Sequence, residues 1–231
     1  MPRLRPRRLA QPWQVRVAQR LEHSHSLGGA ERGRGAGSRP AAVQKLGGSA
    51  RSVIITPKEN AMSIGQEFLQ ELLLESEVTR RFLERVPFDR ADYRPSDKSE
   101  SLGSLAIHVA EIVAWWTEVA RNYELNFLGF EQQDIRSAEE LLAYFDRLFE
   151  EATRALTEVE DEEFDKEWAM THGEEVLFTL PKKQVMRIFC MNHLVHHRAQ
   201  LGVYLRLLGV PVPATYGPSA DDGHVTLIRR T

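Results

Sequence analysis

The sequence has one cysteine, Cys190, so no disulfide can close within the chain and the fold must rest on packing. No apolar run approaches the ~18 residues of a membrane-spanning helix. The Arg-rich start also lacks the apolar core of roughly 7–15 residues that marks a secretory signal. Together these absences predict a cytoplasmic protein in a reducing compartment. Aromatic residues are scarce at the start, where Trp13 is alone in residues 1–60, and so is negative charge: 12 Lys and Arg stand there against 3 Asp and Glu. The remaining residues hold 18 against 30, and an acidic body makes nucleic acid an improbable partner for the folded part.

Residues 1–61, rich in Arg, Gly and Pro, cannot bury enough apolar surface to offset their ordering entropy and are predicted to be a disordered basic extension. Three readings compete for them: a basic nucleic-acid or membrane tail, an organellar transit peptide, or a start codon placed too far upstream. The third is preferred. Met62 opens MSIGQEFLQELLLESE, where helical periodicity begins at once, and Lys58-Glu59 can be written AAG-GAG, a bacterial ribosome-binding sequence.

Residues 62–231 read as helices. Ile64, Phe68, Leu72, Leu73, Phe82, Leu83 and Val86 make a first apolar stripe that Pro87 ends. A second helix is expected over residues 101–123, with Leu102, Leu105, Val109, Ile112, Val113, Trp116 and Ala120 inward. Ser137-Ala-Glu-Glu140 is a capping box opening a third helix through Leu141, Leu142, Phe145, Leu148, Phe149, Ala152 and Leu156. After a long crossover with a short turn of strand near Val176 to Thr179, a fourth helix starts at Pro181 and runs to Leu208, stopped by Gly209 and Pro211. Four amphipathic helices and a crossover loop predict an all-α four-helix bundle, a fold that builds metal sites from inward side chains of facing helices.

The chemistry lies in FCMNHLVHHRAQLGVY. His193 and His197 are four residues apart, so on a helix their Cβ atoms lie about 5–6 Å from one another on one face, and two imidazoles can reach one ion. A spacing of this kind is a weak signal alone. A third histidine, His108 in SLAIHVAEIVAWW, lies at the edge of the second helix's apolar face. Alone it would read as a core histidine bonded to a carbonyl; three inward imidazoles with an open fourth position match catalytic zinc sites. His196 points about 100° away from His197 and is read as outer or surface. Cys190, on the ligand face, is read as a small buried hydrophobe and not a thiolate ligand. Arg198 and Arg206 are expected to pair with acidic residues of neighbouring helices, the rival being an anionic substrate. Trp115-Trp116 is assigned to core and dimer surface and not to a ligand box; Glu111, one turn after His108 and the nearest candidate for a general base, is assigned to the surface; and His23, His25, His172 and His224 are given no role.

LAIHVAE, NHLVHHRAQLGVYLRLLGVPVP and ATYGPSADD, taken together, resemble the DinB/YfiT-like family of metal-dependent enzymes over residues 62–222. The resemblance implies a four-helix bundle whose metal triad falls on His108, His193 and His197. Ala199 departs from the usual glycine of HHRGQ. The three nitrogen donors suit zinc or nickel first, and iron(II) would also accept them; the resemblance implies a low-molecular-weight thiol as cosubstrate and S-transferase or isomerase chemistry, while an open three-histidine site suits hydrolysis as well. The protein is therefore expected to be a metal-dependent transferase or hydrolase of small molecules, forming a homodimer without membrane attachment. The alternative is a non-catalytic, metal-stabilised helical dimer that binds a partner.

Overall fold

The computed structural model describes residues 62–221. The expectations for residues 1–61 and for His224 lie outside the described residues. Helix α1 (Ile64–Leu83) opens on Ser63, whose hydroxyl accepts from the Gln66 N–H while the Gln66 side chain accepts from the Ser63 N–H. That reciprocal box satisfies two of the amides a first turn leaves without partners. Ser101 caps α2 (Leu102–Arg121) and Ser137 caps α3 (Ala138–Glu158) in the same way, by accepting from an amide three residues on. The box expected at Ser137 is half made, because Glu140 accepts instead from the Arg136 N–H.

Helix α2 is the centre of the core. Leu102, Leu105, Val109, Ile112, Val113 and Trp116 are buried, and Ala106, Ala110 and Val119 extend the buried surface round most of the helix. A helix apolar over most of its circumference belongs in an interior. It packs chiefly against α3, which also receives α1. Phe68 of α1 meets Trp116 edge-on at 5.9 Å between centroids and lies 5.6 Å from Phe164 in the short 3-10 helix Asp161–Asp165. Leu73, counted with the first stripe, is 47% exposed, since one step from the buried Leu72 turns a side chain about 100° round the helix.

Gly65 sets how closely α1 approaches the end of α3. A Cβ built there would stand 2.5 Å from the Leu156 carbonyl oxygen, which is backbone and cannot step aside. Gly65→Ala is therefore expected to destabilise by about 1–3 kcal/mol, as overpacking does, although alanine in an open helix would gain about 0.5–1 kcal/mol over glycine. Urea denaturation decides the sign; a gain in stability would show that the helices separate freely.

The all-α expectation is corrected by a three-stranded sheet in an otherwise mostly helical chain. Strand β1 (Glu124–Asn126) pairs parallel with β2 (Glu167–His172), which pairs antiparallel with β3 (Glu175–Pro181). Trp168 and Met170 of β2 and Phe178 and Leu180 of β3 are buried, the alternation of a strand with one covered face. Gly173 makes the hairpin tip at φ 65°. The fourth helical segment is also less uniform than expected. After Pro181 come α4 (Lys182–Val185), a π-helical stretch (Met186–Asn192) and α5 (His193–Leu207). Gly209, at φ 71°, ends it where the sequence said it would. Among the described residues no helix is long and apolar enough to cross a membrane.

Candidate metal centre

Helix α2 presents His108 and the start of α5 presents His193 and His197, and the structure brings the three together. One ring nitrogen from each lies within 4.8 Å of the others. The rings meet edge to face, with centroids 5.2 Å apart for His108 and His193 and 4.6 Å apart for each of the other pairs. His193 and His197 are 6% and 9% exposed, while His108 is half-buried. The π-helical stretch ends immediately before His193. Its wider turn takes up an extra residue and resets the phase of the helix behind it, a device common at functional sites.

The tautomers follow from the outer partners. His193 Nδ1 lies 3.3 Å from the Phe189 carbonyl, which can only accept, so the proton sits on Nδ1 and the Nε2 lone pair is left for the cluster. His197 Nδ1 lies 2.8 Å from Gln200 Oε1 and is fixed likewise. The Nε2 atoms of His108 and His193 are 3.4 Å apart. Two nitrogens bound at about 2.0–2.1 Å to one tetrahedral ion stand about 3.3–3.4 Å from each other, so the pair already has the spacing of two zinc ligands.

Electrostatics point the same way. Burial lowers the pKa of His108 to about 4. Burial, then the neighbouring imidazoles, lower His193 to about 2 and His197 to about 3. All three are neutral at pH 7, the only form in which imidazole donates to a metal. The donor set thus fits a divalent ion of intermediate softness.

The other candidates fall as follows. Cys190 is fully buried, and burial pushes its thiol pKa well up, which fits a hydrophobe. His196 is exposed, with its ring 4.8 Å from that of His197. Arg198 is buried and pairs with Glu75 of α1 at 2.6 Å, and Arg206 pairs with Asp221. Glu111 corrects the sequence reading: it is 5% exposed, not at the surface. Its Oε1 accepts from the Gln133 N–H at 3.2 Å, and burial raises its pKa against that bond. The Trp pair is likewise inside the chain, Trp116 in the core and Trp115 with its ring 5.1 Å from His193. Sequence reasoning missed Trp115, Gln200 and the Phe189 carbonyl as neighbours of the site. Gln200 was legible as the residue three after His197, the spacing of an outer partner on the same helix face. A cavity of about 600 Å³ between α1 and the fourth helical segment, lined by Glu71, Leu74, Arg187, Asn192, His196 and Tyr216 among others, touches none of the three ligand candidates and is not assigned to the chemistry.

Fold and site together define a mostly helical protein with three histidines placed to hold a metal ion. The profile of the DinB family matches residues 58–230, and the chain belongs to that family. It is similar in structure to a DinB-like protein from Bacillus subtilis, with a TM-score of 0.52 at 20% identity over 64% of this chain and 97% of that one. A DinB-like protein from Bacillus cereus matches with a TM-score of 0.50 at 21% identity over 64% of this chain and 95% of that one. No curated protein matches the sequence.

Proposed function

We propose that the protein is a metal-dependent enzyme acting on small molecules, with His108, His193 and His197 as ligands of one zinc or nickel ion inside a four-helix bundle. The observation that carries this reading is the meeting of three neutral imidazoles from α2 and α5 with two of their outward nitrogens already occupied. Bound there, the ion supplies Lewis-acid chemistry that serves hydrolysis, by making water nucleophilic near neutral pH, or S-transfer, by favouring the thiolate of a small thiol. The chain's own part is to orient the rings through Phe189 and Gln200 and to keep the imidazoles unprotonated by burial. His108 is only half-buried, which favours a site open to small molecules over a purely structural one. Metal analysis tests the ligands. Panels of thiols with electrophiles, and of esters and amides, then separate S-transfer from hydrolysis. Silence in both would turn the assignment to the metal-stabilised, partner-binding dimer. A homodimer is proposed on either reading, and sedimentation velocity measures it.

The histidines also set a pH dependence. Each folded pKa lies below the ordinary 6.5, so between the two values the unfolded chain binds protons that the native site refuses. Their contribution is complete above pH 6.5 and is lost as pH falls through about 4 and below. Metal-free wild type should therefore lose thermal stability on acidification from pH 7 to about pH 4 more steeply than the triple alanine variant. Parallel curves would mean that the imidazoles are not desolvated.

A further inference from the structure

Ser104, His108, Glu111 and Trp115 lie at i, i+4, i+7 and i+11 on α2, one stripe along the helix. Residues 127–133, which follow β1, run back along that stripe in the opposite direction. The Phe127 ring stands 5.6 Å from Trp115. At the far end the Gln133 N–H donates to Glu111 Oε1 at 3.2 Å, and Gln132 Nε2 donates to the Ser104 carbonyl at 2.9 Å. The Ser104 hydroxyl returns a bond of 3.0 Å to Gln132 Oε1. Glu111 and Ser104 flank His108 on its own helix face, so these attachments lay the segment along the face that carries that half-buried histidine.

What the segment brings there is apolar and held in shape. The Phe127 N–H donates to the Thr171 carbonyl at 2.9 Å, rooting the segment on the sheet, and the Phe130 N–H donates back to the Phe127 carbonyl at 3.1 Å. That turn has Gly129 at φ 78°, a conformation other residues adopt at a cost, and it sets the Phe127 and Phe130 rings 5.7 Å apart. A line of rings therefore leads outward from the cluster: His193 to Trp115 at 5.1 Å, then Phe127, then Phe130, which is 57% exposed beside Leu128 at 64%. The stripe and the segment include the carboxylates of Glu111 and Glu131 and no Lys or Arg.

We propose that Trp115, Phe127 and Phe130 form the substrate-selecting wall of the three-histidine site. The ligands it favours carry an aromatic or branched apolar substituent next to the metal-binding donor, and small polar ones are disfavoured. The assignment rests on the metal-site reading above. Glu111 and Gln132 act as positioning residues that hold the wall against α2.

The test uses the full chain loaded with cobalt(II) and titrated with phenylmethanethiol and 2-mercaptoethanol, with affinity read from the thiolate-to-cobalt absorption. Phenylmethanethiol should bind about tenfold more tightly than 2-mercaptoethanol, the yield of covering one ring. Phe130→Ala, at an exposed position where folding is not at risk, should shrink the aromatic preference while leaving 2-mercaptoethanol unchanged, and Phe127→Ala should do the same. Equal affinities in the wild type, or a preference that survives both substitutions, overturns the wall and leaves the metal centre standing. Metal-free protein gives a second readout that does not depend on the ion. Phenylmethanol should perturb tryptophan emission in the wild type and not in Trp115→Phe, and an unperturbed wild type overturns the wall even if the cluster binds no metal at all.

Discussion

Alanine at His108, His193 or His197 is expected to lower zinc affinity by more than the roughly 10–100-fold that loss of an outer partner costs, and alanine at all three should abolish stoichiometric binding. Each substitution removes one of three donors that lie within 4.8 Å of one another, and no other described His, Cys, Asp or Glu joins that group. His196→Ala is the control: its exposed ring lies beside His197 but outside the group, so affinity should change little. Gln200→Ala should fall between, at about 10–100-fold, because it frees the His197 ring without removing a donor. Competition against a chromophoric chelator measures all six variants. Wild-type affinity in the triple variant would refute the assignment, and a loss at His196 equal to that at His197 would mean that the wrong imidazole had been chosen.

These three residues were legible because helical spacing is strict. His193 and His197 share a face by virtue of four-residue separation, and His108 falls in register with Leu105 and Ile112 of a helix whose stripe is unmistakable. The helix ends were legible for the same local reasons, from Ser101 and Ser137 at the start to Gly209 at the stop. The sheet was not. Residues 167–172, EWAMTH, have little of the β-branched character that marks a strand, and three-residue β1 owes its existence to a partner more than 40 positions away, Glu124 aligning with Ala169. Of the three strands only β3, with Val176, Phe178 and Leu180 in alternation, left a trace in the pattern.

The π-helical stretch was hidden for a different reason. Phe189 inside it and His193 immediately after it are both inward and four apart as in an α-helix, so the apolar pattern does not register the wider turn. Glu111 was misplaced because a carboxylate on a helix is normally solvated. Its burial follows from the segment that covers it, and that segment is fixed by bonds from Gln132 and Gln133 more than 20 residues downstream. Local chemistry thus specified the ligands, whereas long-range contacts decided what surrounds them.

The largest effect on stability is expected at Arg198, whose guanidinium is 2% exposed and reaches Glu75 at 2.6 Å, the Glu75 carbonyl at 3.1 Å, Thr79 Oγ1 at 3.0 Å and Tyr216 Oη at 2.8 Å. The sequence reading had set an ion pair against an anionic substrate for this residue, and every one of these partners belongs to the fold. Arg198→Ala leaves Glu75, 13% exposed, as a desolvated charge opposite an empty space, and the expected cost is about 3–5 kcal/mol. For a domain of this size that is a fall in thermal midpoint of roughly 10 °C. Removing Arg187, whose pair with Glu71 is 49% and 39% exposed, should cost no more than about 1 kcal/mol, because water already screens it. The double variant Arg198→Met with Glu75→Gln tests the cause: with no charge left to bury it should recover much of the loss, as replaced buried pairs do. If Arg198→Ala and Arg187→Ala prove equally mild in chemical denaturation of the metal-free protein, the buried pair does not hold α1 to α5; if the double variant is as unstable as Arg198→Ala, packing and not charge is what the arginine supplies.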